Sequence, residues 1–160
     1  MIKEINRSYW SRFLKKFNSE NQYRNVRVKV FDRHKKEVGN FENFPFIGTS
    51  IEKKGRLIDG VQVFTGRADA DYLSEPLVSL KAPSKLIVEN EKKDQDCLKI
   101  FSKDGSLLQL FISGEKDPNH WVEKVAYNMF EKRGYSQGND QADWYEAERR
   151  VKECEKQFVS

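Results

Sequence analysis

The residue types that carry chemistry are sparse in this chain, and their spacing limits what it can do. There are two histidines, His34 in a basic turn and His120 at a helix start, and two cysteines, Cys97 and Cys154, far apart in segments of different kinds. Metal sites draw on clustered His, Cys or carboxylate ligands. Neither pair offers such a cluster, so no metal ligand and no cofactor is expected. Asp59, Asp69 and Asp71 could converge on one rim, but the run lacks the later glycine and the closing Glu of a calcium loop. Turn-forming aspartates are the simpler account. A nucleophile would need Ser or Cys beside a histidine. Cys97 falls in a strand pattern and Cys154 on a helix seam, where thiols behave as small packed hydrophobes. Neither G-x-x-x-x-G-K nor G-x-G-x-x-G occurs to cradle phosphates. No catalytic residue is expected, and the chain reads as a non-enzyme.

Charge is the other candidate source of function. Of the net +4, residues 1–40 carry +7, residues 41–114 carry −1 and residues 115–160 carry −2. Six cations, Arg24, Arg27, Lys29, Arg33, Lys35 and Lys36, fall within 13 residues against Asp32 alone. A basic segment beside neutral ones can mark a polyanion face, and Tyr23 and Phe31 are available as stacking rings. Nucleic acid is therefore a possible partner. A solubilising strand edge explains the same charges, because the strand face opposite Arg27 and Lys29 must be core.

The elements that position these residues follow from periodicity. At 160 residues and 38% apolar content, the chain is more polar than the roughly 45–50% of an average domain. Its 12% aromatic content still supplies a core, which a disordered chain lacks. No apolar run approaches the roughly 20 residues of a membrane span, and the first residues show no secretion signal, so a cytoplasmic protein with no membrane association is expected. Trp10, Phe13, Leu14 and Phe17 make an i, i+3, i+4, i+7 stripe, which predicts a helix from about Arg7 to Ser19, capped by Asn6 or Ser8. Val26, Val28 and Val30 alternate with Arg27 and Lys29, the period of a half-buried strand. Further short strands are expected through Val38–Phe41, Phe46–Ile51, Gly60–Phe64, Leu77–Leu80 and Lys85–Glu89. A hairpin at Cys97–Phe101 and Leu107–Ile112 turns on Asp104-Gly105. The fold class this predicts is α+β, with an N-terminal helix capping a small antiparallel β-barrel or sandwich over 1–114. A two-helix hairpin then occupies 115–160.

In that hairpin, Asp117 caps and Pro118 takes the first helical position. Trp121, Val122, Val125, Ala126, Met129 and Phe130 form one stripe, and Trp144, Ala147, Val151, Cys154 and Phe158 step by 3 and 4 as a seam. Trp144 is expected to be mostly buried. The two stripes cannot be covered by one another alone, so docking on the barrel or on a second copy is expected. The pattern Ala126-Tyr127-x-x-Phe130-Glu131-x-Arg133-Gly134, followed by Asp140, Asp143-Trp144 and Ala147-Glu148, resembles a widespread bacterial helical family of unknown function that often forms the tail of a longer protein. Residues 5–113 more loosely resemble a second uncharacterised bacterial family, through the early Trp-x-x-Phe helix, the alternating valines, Gly60-Val61-Gln62-Val63 and Ala82-Pro83. Neither resemblance implies an activity. The motif residues Tyr127, Glu131, Arg133, Asp143, Trp144 and Glu148 read as a clamp on the hairpin angle, with Arg133 facing Asp143 or Glu148. The functional expectation is a bacterial interaction module that binds a protein partner or associates with itself. A small-barrel nucleic-acid binder using residues 24–36 is the alternative.

Overall fold

In the computed structural model, which describes residues 2–66, 75–92 and 95–159, eight strands form one antiparallel sheet flanked by three α-helices. The strands are β1 (Ile2–Glu4), β2 (Asn25–Phe31), β3 (Glu37–Lys54), β4 (Leu57–Thr65), β5 (Val78–Lys81), β6 (Pro83–Lys92), β7 (Gln95–Ser102) and β8 (Leu107–Ser113). The helices are α1 (Trp10–Asn21), α2 (Pro118–Lys132) and α3 (Asp140–Val159). Asp69 and Asp71, two of the three rim aspartates, lie outside the described residues.

The order across the sheet is β1-β6-β7-β8-β2-β3-β4-β5, and every pair is antiparallel. The sheet stays open, which corrects the expected barrel. Closing it would require the edge strands β5 and β1 to pair, which they do not; β5 runs straight into β6 through Ala82, a corner at φ 49°. The free side of β6 is taken instead by the N-terminal segment. β1 pairs there, and Ile5 N–H donates to Leu86 O at 2.8 Å. The Arg7 guanidinium then bridges Pro83 O (2.9 Å) and Ile58 O (3.2 Å). A segment with no strand pattern thus fills the seam that a barrel would close by pairing.

The long β3 joins two halves of the sheet. Glu37–Pro45 pairs with β2, whereas Phe46–Lys54 pairs with β4. The sequence pattern suggested two separate strands here, and the chain keeps them continuous. The handover falls at Pro45, which has no N–H to donate to a ladder. Register shifts in both ladders bend the strand around it.

Alternation along the strands then sorts the core. Val26, Val28, Val61, Val63, Leu98, Ile100, Leu108, Leu110 and Ile112 line the inner face with Trp10, Leu14 and Phe17 of α1, while Phe13 is partly buried against them. Phe46 enters that cluster. Its neighbour Ile47 faces the other way, into a second cluster with Tyr23, Trp121, Val122, Val125, Ala147, Val151 and Cys154. The helical hairpin is therefore docked on the sheet of its own chain. Two glycines make the slots: a Cβ on Gly48 would lie 2.5 Å from the Phe158 ring, and one on Gly66 would lie 2.7 Å from Trp121. Of the three tryptophans, Trp10 and Trp121 are fully buried, whereas Trp144 packs against the second cluster with part of its surface exposed. Trp144 is thus mostly covered, as expected, though less completely than the other two. Its indole N–H donates to Glu148 of the next helical turn.

Candidate functional site

The six cations of the basic segment do not share one face. Arg24 lies between α1 and β2 and is mostly covered. It pairs with Asp96 at 3.0 Å and donates to Asn21 Oδ1 and Gly114 O, both at 2.7 Å. Arg27 lies on the outer face of β2 against Glu42 (2.9 Å) and Asn40 (3.3 Å). Lys29, two residues along the same face, reaches Glu37 at 3.9 Å and sits 5.9 Å above the Phe111 ring. Arg33, Lys35 and Lys36 occupy the β2–β3 turn. Asp32 Oδ1 organises that turn by accepting from His34 N–H (2.8 Å) and Lys36 N–H (3.0 Å). The Lys36 N–H bond, followed by that from His34, holds the Asp32 carboxyl below its ordinary range. Of the proposed stacking rings, Tyr23 is buried in the hairpin core and Phe31 is half-buried.

The hairpin motif is a clamp built on charge-assisted bonds. Both terminal nitrogens of Arg133 donate to the two carboxylate oxygens of Asp143, a bidentate pair across the interhelical turn. That bond holds the Asp143 carboxyl below its ordinary range and raises Arg133 above its own. Arg133 therefore faces Asp143, while Glu148 takes the Trp144 indole. Glu146, one turn before Arg149 and Arg150, bonds both of them and is pushed down to about 2, chiefly by Arg149. Glu131 and Tyr127 project outward from α2. Tyr127 is 56% exposed and Tyr135 58%. Their rings flank Phe130 at 6.1 and 5.3 Å, so an aromatic row runs along the outer side of the hairpin.

Sequence reasoning missed a buried polar seam between α1 and β3. Where β2 departs, the exposed edge of β3 is met by carboxamide side chains in place of a strand. Asn18 Nδ2 donates to Thr49 O (3.0 Å), and Asn18 Oδ1 accepts from Thr49 N–H (2.8 Å) and Thr49 Oγ1 (2.9 Å). One helical turn on, Gln22 Nε2 donates to Ile47 O at 3.1 Å, and Tyr23 N–H to Phe46 O at 2.7 Å. The Tyr23 hydroxyl then donates to Glu155 Oε2 of α3 at 2.9 Å. Burial, with that hydrogen bond and the Glu155 charge, pushes the Tyr23 phenol well above its usual value. Burial also raises the adjacent Cys154 thiol to about 11, which disfavours thiolate chemistry there. The signal was present in the sequence: Asn18 lies four residues after Leu14, on the apolar stripe itself, where a polar side chain must find buried partners.

Among the described residues, no three His, Cys, Asp or Glu side chains converge as a metal-ligand group. No helix is long and apolar enough to cross a membrane.

Comparisons with known proteins reach only part of this architecture. Residues 119–153 match the model of a family described as a protein of unknown function, DUF2934. The match covers α2, the clamp turn and most of α3. No curated protein matches the chain. Among solved structures, the YojF protein of Bacillus subtilis is similar at a TM-score of 0.41 with 12% identity, covering 72% of this chain and 96% of that one. The C-terminal segment is thus similar to a family without a described activity.

Proposed function

We propose that this chain is a non-enzymatic interaction module of the bacterial cytoplasm, in which the outer side of the helical hairpin docks a protein partner or a second copy. The observation that carries this reading is the aromatic row Tyr127–Phe130–Tyr135. Its two tyrosines stand in solvent, while the inner seam of the same hairpin packs against the sheet. Tyrosines carry a large apolar body and a polar tip at low entropic cost, which suits a surface that is wet when free and dry when bound. The Arg133–Asp143 clamp fixes the turn that carries Tyr135, so the row is presented on a rigid frame. Both cysteines are free thiols, which fits a reducing compartment.

The nucleic-acid reading draws on less. Arg24, Arg27 and Lys29 each face a carboxylate of the same chain, so a phosphate would have to displace Asp96, Glu42 or Glu37. Arg33, Lys35 and Lys36 then remain as a turn-borne group of three, a footing for weak non-specific contact.

The test is capture from a bacterial lysate, with and without nuclease, by the whole chain and by its Tyr127→Ser/Tyr135→Ser variant, alongside sedimentation of each purified protein. A nuclease-resistant partner, or a dimer, that is lost in the variant supports the reading. Capture that nuclease abolishes, or that the variant retains unchanged, overturns it.

A further inference from the structure

The seam between α1 and β3 ends in an unfilled groove, and the backbone geometry there identifies what would fill it. Thr49 lies opposite Val63 of β4 yet sends its N–H and C=O away from β4, to Asn18. Thr49–Val63 is therefore a pair of the non-hydrogen-bonded kind, and antiparallel ladders alternate the two kinds. Two residues on, the pair Ile51–Val61 repeats it, so the Ile51 N–H and C=O also point away from β4. Val61 agrees, because the β4–β5 ladder hydrogen-bonds at Asp59–Ala82, where Ala82 N–H donates to Asp59 O, and alternation brings Val61 to bond β5. At Thr49 the edge is satisfied by the Asn18 carboxamide, a peptide group in miniature. At Ile51 it has no partner among the described residues.

The groove that opens beside Ile51 has a volume of about 260 Å³. That is near the lower end of the roughly 300–1,000 Å³ of ligand pockets, so it suits a short stretch of chain. Its apolar side chains are Leu14, Ile51 and Phe158, and its charged ones are Lys15 and Lys53. Neither lysine has an ion pair among the described residues, and no carboxylate lines the groove.

We propose that this groove binds a short extended peptide bearing a carboxylate, which adds to the β3 edge at Ile51 as the Asn18 carboxamide does at Thr49. Edge addition supplies the main-chain bonds, the partly exposed Ile51 and Phe158 receive one apolar side chain, and Lys15 and Lys53 select the negative charge. The carboxylate comes either from the end of a chain or from an acidic side chain. This site is separate from the aromatic row of the hairpin, and it stands or falls independently of that surface.

The experiment is a titration of the ¹⁵N-labelled whole chain, followed by amide shifts, with three pools of N-acetylated hexapeptides randomised over Val, Thr and Ser. One pool ends in a free carboxylate, one is C-terminally amidated and carries a single Glu, and one is amidated and uncharged. The expected result is shifts at Ser50–Lys53 and in α1 that saturate below about 1 mM. They should appear with one or both acidic pools and be at least fivefold weaker with the uncharged pool. Which acidic pool binds identifies the source of the carboxylate. In Lys15→Ala/Lys53→Ala, two exposed substitutions that leave the buried seam intact, affinity for the acidic pool should fall about three- to tenfold, as for two exposed charge contacts. The Tyr127→Ser/Tyr135→Ser variant should bind the pools unchanged. Absence of an Ile51 shift with every pool at about 2 mM, equal binding of charged and uncharged pools, or full binding by the double lysine variant would each overturn the proposal.

Discussion

Asn18→Ala is the substitution that most directly tests the α1–β3 seam. The residue sits on a helix stripe that is otherwise Trp10, Leu14 and Phe17, and only 3% of it is exposed. Truncation removes three hydrogen bonds of 2.8, 2.9 and 3.0 Å and leaves the Thr49 N–H, C=O and hydroxyl without their protein partner. At about 0.5–1.5 kcal/mol net per bond the loss is about 1.5–4.5 kcal/mol. Water from the adjoining groove can re-satisfy part of it, which sets the expectation at about 2–3 kcal/mol. For a chain of this size that corresponds to a fall in Tm of about 4–12 °C. Gln22→Ala removes longer bonds, 3.1 and 3.4 Å, and should cost less, about 1 kcal/mol. Asn18→Asp keeps the acceptor but sets a carboxylate against the Thr49 carbonyl, so its folded pKa is raised and the variant should lose stability as pH rises through that pKa. The assay is urea unfolding combined with amide hydrogen exchange, since the Thr49 amide should lose protection more than the β7–β8 amides. A change in stability below about 0.5 kcal/mol, with Thr49 protection unaltered, would refute the claim that side-chain carboxamides complete the β3 edge.

Trp121→Ala should cost about 3–5 kcal/mol, as for a core aromatic, and Trp144→Ala clearly less, because only the former is fully buried; equal midpoints in denaturant would contradict this. Gly48→Ala should destabilise by about 1–3 kcal/mol through overlap with Phe158, and the loss should shrink in a Phe158→Ala background when measured as a double-mutant cycle. The depressed Asp143 carboxyl stabilises the folded state fully above its unfolded value of about 3.9 and loses that contribution as pH falls through the lower folded value, so Asp143→Asn should flatten the acid limb of the stability–pH curve. Fluorescence anisotropy with single-stranded and duplex oligonucleotides at about 50 mM salt should find no binding tighter than about 100 µM; three engaged cations would give a log–log salt slope of about −2 to −3, and a steeper one would mean that Arg24, Arg27 and Lys29 leave their carboxylates to bind phosphate.

Local pattern alone determined much of this molecule. The period-2 valines of β2, the Asp104-Gly105 hairpin, the aromatic stripe of α1, and the Asp117-Pro118 and Gly134 boundaries of α2 are all short-range signals. Each appears in the structure because the residues that specify it are neighbours in the chain. The spacing of Arg133 and Asp143 across one turn likewise restricted the clamp to a small choice of partners. What the sequence could not decide were the long-range matters. Whether the sheet closes depended on Ile2–Arg7 lying along β6, and three residues of strand with no alternation carry no local mark of that. Whether Arg27 is a phosphate contact or a paired side chain depended on Glu42, brought opposite by a register shift in the β2–β3 ladder. Trp121 and Trp144 look alike on helical periodicity, and it is distant residues, Gly66 just after β4 and Tyr23 and Ile47, that bury the first more completely. Periodicity states which side of an element is apolar, but the partner across that side comes from elsewhere in the chain and is set by the competition among all faces for cover.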